Sequence, residues 1–403
     1  MYLFKNRNFC LLFSATALSN LASKIFNFVM SWYILERTGS ALQMGTYVSL
    51  PYLVHIFFSP FIGVICDRLD RKKIVVYTDL ANVGLMLLAL SSFYFTDAFF
   101  LIAVYLVNML ICFADSFASI GTFTLKKECC DGKDLTRCNS FFTLESLTNS
   151  IIGAAISGFL YQYLGLVVCM TGIVVAYVIS VCLESRLQIS MSHVSKEKLQ
   201  VREIIQNMKE GVRYVSRRQD IMRIFLCAII FNVTINPLCS VILPYLIHHF
   251  ELGVTRLSLL NASMTVGSIF CSAYLVKKNH VSSEKFGQFF LLYLVCFILL
   301  MLDYQLFFSG YVSSWLFLGI LMVTMLGVGI MSPLFNIPFN AHLQATVDDQ
   351  MMGRVYAYFN VVSHSLTPAA LMVSGLLSEW NLLGLCMLLT ILIVIGLVLN
   401  KET

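Results

Sequence analysis

Charged residues are scarce in this chain of 403 residues, because Asp, Glu, Lys and Arg make up 12% of it while 58% is hydrophobic. A soluble domain is about one quarter charged and about half apolar. The net charge is only +5, and the basic residues fall in short separate clusters, so no continuous basic face for nucleic acid is expected. The composition excludes an ordinary soluble domain and indicates many membrane-spanning segments.

Motifs of the common enzyme and metal-site classes are also missing. The sequence contains no phosphate-binding G-x-x-x-x-G-K-[S/T] loop, no H-E-x-x-H and no G-x-S-x-G. Its 13 cysteines include no C-x-x-C pair, and most lie in apolar runs, where Cys behaves as a small hydrophobic residue. We therefore expect no enzyme activity, no ATP-driven pump, no metal site, no cofactor and no disulfide framework.

Long apolar runs are what the sequence has in abundance. A spanning helix needs roughly 20 apolar residues, and twelve runs reach that length. We predict an all-α polytopic membrane protein with 12 transmembrane helices. The predicted runs are about 9–35, 42–65, 74–96, 98–125, 138–161, 165–185, 220–248, 255–276, 286–308, 312–340, 353–378 and 380–399.

One long polar stretch divides these runs into two sets of six. We predict an N-terminal bundle at 1–185, a linker at 186–219 and a C-terminal bundle at 220–403. Apolar residues recur at helical spacing inside the linker, which favours an amphipathic helix along the inner membrane face. Such a helix is either a tether that anchors the topology or a regulatory, lipid-sensing element.

The distribution of Lys and Arg predicts the orientation in the membrane. With the N-terminus inside, 24 of the 27 basic residues fall in inner segments, two (Arg37 and Arg256) fall outside, and Lys24 lies within the first helix. We therefore expect a multi-pass protein of the cell membrane with both termini in the cytoplasm.

The densest charge cluster lies between the second and third runs, where so many charges must form a loop at a membrane face. Its pattern is G-x-x-x-D-R-x-x-R-K, with a further acid at Asp70, and its matching residues are Gly63, Asp67, Arg68, Arg71 and Lys72. The pattern resembles the signature loop of the major facilitator superfamily of secondary transporters. The D-R-x-D-R-K form resembles the macrolide-efflux-like branch of its drug exporters.

The resemblance implies that this loop is a conformational latch between two six-helix, pseudo-symmetric bundles. Asp67 would face the N-terminus of the eleventh helix, near Gly353 and Arg354, where the helix dipole favours an anion by about 0.3–1 kcal/mol. A weak internal repeat fits, since Arg137 and Arg354 are 217 residues apart and Ser-Gly pairs recur at the same offset. The alternative is that the basic residues only fix the topology, which does not explain the embedded Asp67.

A second resemblance lies in the fifth helix, where exporters of this superfamily often carry a G-P-x-x-G-G-like motif. Gly153 and Gly158 match it, but Ala154 replaces the proline. Small residues let helices pack closely in lipid, and packing alone would explain both glycines. Pro368 in the eleventh helix is expected to introduce a kink.

Ionisable residues inside the apolar runs need an explanation, because each costs roughly 2.5–3.5 kcal/mol at mid-helix. Lys24, Asp115 and Glu145 lie in the first, fourth and fifth helices. By resemblance the first and fourth helices line the central cavity, so Lys24 could pair with Asp115. The pair either fixes helix packing or lets Asp115 or Glu145 take up a proton when Lys24 or the substrate moves.

Six asparagines fall in the predicted cavity helices one, seven and ten. Their spacings of seven or four residues place each pair on one helix face, where they could line a wet cavity or hold helices together. They are Asn20, Asn27, Asn232, Asn236, Asn336 and Asn340.

Together these features predict a monomeric secondary transporter that works by alternating access. The leading interpretation is efflux of a small amphiphilic, drug- or macrolide-like compound, driven by the proton gradient. The alternatives are a proton symporter or an exporter of an anionic or zwitterionic metabolite, siderophore or lysolipid, and a non-transporting receptor or resistance partner on the same scaffold. The expected partners are the small-molecule substrate and membrane lipids.

Overall fold

The computed structural model describes residues 3–66, 69–93, 97–129, 135–188, 209–210, 212–277, 286–347 and 349–401. Among these residues the regular structure is helical throughout and no β-strand occurs. The all-α prediction is therefore confirmed.

The first half contains six helical rods, two of which join without a loop. Gly165 has φ 76° inside the segment Leu135–Ser185 and interrupts it, because this left-handed backbone conformation favours glycine. The rods are α1 (Arg7–Thr38), α2 (Ala41–Cys66), α3 (Arg71–Ser92), α4 (Asp97–Cys129), α5 (135–164) and α6 (166–185).

The second half also contains six rods, with breaks at specific residues. A π-helical turn, Leu238–Ile242, directly follows Pro237, as expected where a proline removes a helical hydrogen bond. Asn381 is non-helical (φ −156°) and caps the final rod by accepting a hydrogen bond from Gly384 N at 2.8 Å. The rods are α7 (219–249), α8 (Val254–Lys277), α9 (Phe286–Phe308), α10 (Ser314–Thr346), α11 (349–380) and α12 (382–401).

Membrane-spanning length and apolarity are reached by nine helical stretches within the described residues. One of them, Val361–Val398, runs through Asn381 and covers parts of α11 and α12. The rods outside this set are α2 and most of α5. The helical rods of the described residues and these nine apolar stretches confirm the predicted polytopic all-α architecture.

The chain forms two compact units. The first contains residues up to Arg37 and those from Leu50 into the central segment, and the second contains Thr38–Ser49 and the residues beyond that segment. The start of α2 therefore packs with the second unit. There the Glu379 carboxylate accepts hydrogen bonds from Ser40 Oγ at 2.7 Å and Leu42 N at 3.0 Å, which satisfies a free amide at the helix start.

Candidate functional site

A polar cavity of about 390 Å³ lies inside the first unit, within the range of about 300–1,000 Å³ usual for small-molecule sites. Four carboxylates and one lysine line it, and few apolar side chains do. The lining residues are Thr16, Ser19, Asn20, Ser23, Val75, Asp79, Asp115, Ala118, Ser119, Thr122, Lys126, Phe142, Glu145, Ser146 and Glu184.

Glu145 of α5 is the carboxylate with the most compensation for its charge. Its Oε1 accepts hydrogen bonds from Asn20 Nδ2 at 3.1 Å and Asn149 Nδ2 at 2.6 Å. Lys126 and Lys24 both act on it electrostatically. The two amide donors and the nearby cations offset part of the cost of burying this charge.

Asp115 of α4 accepts hydrogen bonds from two neutral side chains. Its two carboxylate oxygens accept from Asn82 Nδ2 at 2.9 Å and from Ser23 Oγ at 3.2 Å. Asn82, on α3, is completely buried. These two neutral donors fix the orientation of the carboxyl group and connect α1, α3 and α4 across the cavity.

Asp79 of α3 and Glu184 of α6 share a single hydroxyl group. Ser180 Oγ lies 2.7 Å from Asp79 Oδ2 and 3.5 Å from Glu184 Oε1, and it is also 3.2 Å from the Ala15 carbonyl oxygen. Asp79 and Glu184 are 3% and 1% exposed. These two acids are the least compensated charges in the cavity.

The comparison with known families decides the identity of the scaffold. The model of the Major Facilitator Superfamily matches residues 12–372, which is most of the chain. The chain belongs to the Major Facilitator Superfamily. Members of this family are transporters, so the chain is a membrane transporter and not an enzyme.

Two curated relatives of this superfamily member are named as exporters. Macrolide efflux protein A of Streptococcus pyogenes is 22% identical over 401 residues, which is 96% of this chain and 94% of the relative. The putative bacilysin exporter BacE of Bacillus subtilis is 25% identical over 195 residues, or 48% of this chain and 46% of the relative. The similarity to efflux-type members confirms the branch indicated by the 63–73 loop.

Solved transporter structures have the same fold. A bacterial homologue of the iron transporter ferroportin in its inward-facing state superposes with a TM-score of 0.73 at 15% identity, covering 98% of both chains. The nucleoside transporter NupG gives 0.76 at 12% identity, covering 98% of this chain and 99% of the other. Within the described residues, no group of three or more His, Cys, Asp or Glu side chains is placed to hold a metal ion.

The predicted ionisable residues of this facilitator fold are only partly brought together. Asp115 and Glu145 line the same cavity. Lys24 is exposed, and its charge acts on Glu145. Asp115 accepts its hydrogen bonds from Asn82 and Ser23, and the acid that acts on Lys24 is Glu145. The Lys24–Asp115 pair stays a prediction.

The predicted cavity asparagines behave differently from one another. Asn20 lines the cavity and bonds to Glu145. The others that are described each donate to the carbonyl four residues earlier on their own helix, at 2.9–3.0 Å; they are Asn27, Asn232, Asn236 and Asn336. The side chain of Asn340 lies outside the described set.

The predicted latch lies largely outside the described residues. Neither Asp67 nor Arg68 is described, nor are the surroundings of Gly63, Gly353 and Arg354, so the latch stays a prediction. The neighbouring residues have defined local roles. Asp70 Oδ1 caps α3 by accepting from Lys72 N at 3.0 Å and Lys73 N at 3.4 Å, Lys72 Nζ donates to the Ser185 carbonyl at 2.9 Å, and Arg71 begins α3.

The small-residue motif of α5 lies against α1. A Cβ atom at Gly153 would be 3.3 Å from Lys24 Cβ, so this glycine allows close approach of the two helices, and Gly158 is also buried. Pro368 is buried next to the helix break at Leu366 in α11. These positions fit a packing role.

Sequence reasoning missed Asp79, Glu184 and the residues that bond to them. A signal was present, since Asp79 and Asn82 are three residues apart and Ser180 and Glu184 are four apart, which puts each polar pair on one helix face. A polar face on α3 and a polar face on α6 can be buried only where other polar groups lie opposite them.

Proposed function

We propose that this transporter is a proton-coupled exporter of a small amphiphilic compound. The observation that carries the proposal is the acidic cavity of the first unit, in which Asp115 and Glu145 lie within one polar chamber. Buried acids in membrane transporters are costly unless they bind ions or substrate. The names of the two exporter relatives support the outward direction.

The charge balance of the cavity favours a substrate that carries a positive group. Four carboxylates line the chamber but Lys126 is its one lining cation within the described residues. An anionic substrate would meet a surplus of like charge at this site, whereas a protonated amine would be attracted to it. A cationic amphiphile therefore fits this cavity better than a purely anionic metabolite does.

Transport into inside-out membrane vesicles tests the proposal. With an acidic interior, the vesicles should accumulate a macrolide or another cationic amphiphile, and a protonophore should abolish the accumulation. A gradient of one pH unit can support about tenfold accumulation per proton exchanged, because it is worth about 1.4 kcal/mol. Proton-dependent uptake by whole cells, with none by the vesicles, would instead establish a symporter.

A thermal-shift panel of purified protein identifies the substrate class. Cationic, neutral and anionic compounds of matched size should differ, with the cationic members giving the largest rise in melting temperature. A ligand at 100 times its Kd adds about 2.7 kcal/mol to the free energy of unfolding. Equal shifts for anionic members would contradict the electrostatic argument.

Asp67→Asn is expected to abolish transport while the protein still reaches the membrane. The substitution removes the anion from the predicted helix N-terminus, where it contributes up to about 2 kcal/mol, or about 30-fold in the equilibrium between two conformations. Transport assays combined with quantitation of membrane protein measure the effect.

Asp70→Asn is the matched control in the same loop. Asn caps a helix about as well as Asp, so the two hydrogen bonds from Lys72 N and Lys73 N are retained and a much smaller loss is expected. Full transport by Asp67→Asn would remove the latch from the mechanism and favour a topological role for the basic residues.

A further inference from the structure

The Asp79–Ser180–Glu184 group is a buried cluster for which the latch and the Asp115–Glu145 hypothesis provide no role. It joins α3 to α6, and both of its acids line the cavity of the first unit. Its hydroxyl is completely buried. The group is therefore in contact with the chamber but shielded from the bulk.

Hydrogen counting shows that the cluster lacks a donor. A serine hydroxyl carries one hydrogen, yet three acceptor oxygens surround Ser180 Oγ, from Asp79, Glu184 and the Ala15 backbone. The shortest of these contacts, 2.7 Å to Asp79 Oδ2, takes that hydrogen. Glu184 Oε1, at 3.5 Å, then faces an oxygen with no hydrogen between them.

Two further buried oxygens lack partners next to this cluster. Glu184 Oε2 and Thr16 Oγ1 are both buried without a hydrogen-bond partner, and both residues line the cavity. Thr16 belongs to α1 and is independent of the acidic pair. A buried carboxylate oxygen without a partner is costly as long as the group is charged, so the site favours binding of a proton or another cation.

The charged surroundings do not supply that ligand. The electrostatic neighbour of Glu184 is Asp79, and the neighbour of Asp79 is Asp115 on α4, so each faces a like charge. Tyr177 on α6 is close to both aspartates. Glu145 on α5 faces the same chamber, and the charge of Lys126 on α4 acts on Glu145.

We propose that Asp79 and Glu184 hold one proton between them through Ser180 and form a second proton-binding site of this transporter. A protonated Glu184 donates to Ser180 Oγ, which in turn donates to Asp79, so each of the two contacts between a carboxyl group and the hydroxyl has its hydrogen. Asn82 lies three residues after Asp79 on α3 and donates to Asp115, and the charge of Asp115 acts on Asp79. The role of this site in coupling depends on the proposed function, but its protonation does not.

Infrared spectroscopy of the full-length protein in lipid nanodiscs tests the proposal directly. At neutral pH the wild type should show the C=O stretching band of a protonated carboxyl group. Glu184→Gln should remove the intensity that one protonated carboxyl group contributes to this band. Asp79 is then the remaining acid of the cluster, and with its hydrogen bond from Ser180 it ionises. Asp79→Asn should remove the same intensity, and the double variant should remove no more than either single variant.

Glu379→Gln is the matched control, since it makes the same chemical change at a carboxylate of the second unit that accepts hydrogen bonds from Ser40 Oγ and Leu42 N. It should leave the band intact. Unchanged band intensity in both single variants, or losses that add in the double variant, would overturn the shared proton.

The wild type alone provides a second measurement if the variants fail to fold. Its band should lose intensity as the pH is raised, and replacing choline chloride by NaCl should not alter it. Loss of the band on adding Na⁺ would overturn the proposal in favour of a metal-cation site. A confirmed band with no macrolide transport would reject the proposed function and keep the proton site.

Discussion

Asp115→Asn is expected to abolish the pH dependence of transport while substrate binding is retained. The Oδ1 of Asn can still accept from Asn82 Nδ2, and its Nδ2 can donate to Ser23 Oγ, which reverses the second hydrogen bond. The amide cannot bind and release a proton. If Asp115 carries the coupling proton, the gradient-driven accumulation of about tenfold per pH unit should fall to none. Vesicle transport at several pH values, together with an equilibrium binding assay, measures both properties.

The same test applies to Glu145→Gln, because either Asp115 or Glu145 could carry the coupling proton. The variant of the acid that carries it should lose the pH dependence of transport. Asp303→Asn is the matched control for the aspartate, since Asp303 is 2% exposed in α9 of the second unit and has both oxygens unpartnered there. It removes a buried acid without touching the cavity and should leave the pH dependence unchanged. An unchanged pH dependence in both Asp115→Asn and Glu145→Gln would exclude the two acids from coupling.

The sequence was sufficient for the scaffold because the bilayer imposes strong rules. A run of apolar residues long enough to cross the membrane can hardly be anything except a helix. The ends of the helices were less predictable. The third helix begins at Arg71 and not near residue 74, because Asp70 caps it and basic side chains at a membrane face can reach water.

Half of the cavity carboxylates were predictable from the sequence. Asp115 and Glu145 lie far inside apolar runs, where a charge has no solvent and needs a role. Asp79 and Glu184 lie close to the basic residues Arg71 and Arg186, so the sequence pattern is typical of charges at the membrane face. Only the packing of α3 against α6 buries them, and a single sequence contains no information on which helices are neighbours.

The interhelical partners of single side chains were also not predictable. Asn27 and Asn20 lie on one helix face, but Asn20 bonds to Glu145 while Asn27 bonds to its own helix at the Ser23 carbonyl. The difference depends on which residue of the neighbouring helix lies at the same height. That register is set by packing, as at Gly153 against Lys24, and not by periodicity.

Glycines at the contact between α8 and α10 make a second large effect predictable. A Cβ atom at Gly329 would overlap the Met264 carbonyl group, with its carbon 2.6 Å away, and a Cβ atom at Gly267 would lie 3.1 Å from the Leu326 carbonyl carbon. The contact is reciprocal, since positions three residues apart on each helix face each other. No hydrophobic driving force acts between helices in lipid, so close packing of this kind is what stabilises the contact.

Gly329→Ala is therefore expected to destabilise the second unit severely. The backbone carbonyl of Met264 cannot move aside as a flexible side chain would, so α8 and α10 must separate and lose packing along their length. Overpacking in a core usually lowers the free energy of unfolding by about 1–3 kcal/mol and occasionally by more. Because the obstruction here is a backbone carbonyl, we expect a loss at the upper end of this range. The yield of monodisperse protein and its melting temperature in detergent measure the loss.

Gly319→Ala is the control on the same helix. A Cβ atom at Gly319 meets nothing within 4 Å, and alanine is favoured over glycine in a helix by about 1 kcal/mol. This variant should be as stable as the wild type or slightly more stable, so the pair separates backbone contact from helix propensity. Equal stability of Gly329→Ala and Gly319→Ala would mean that α8 and α10 do not pack as closely as the structure shows, and the interior of the second unit would have to be reassigned.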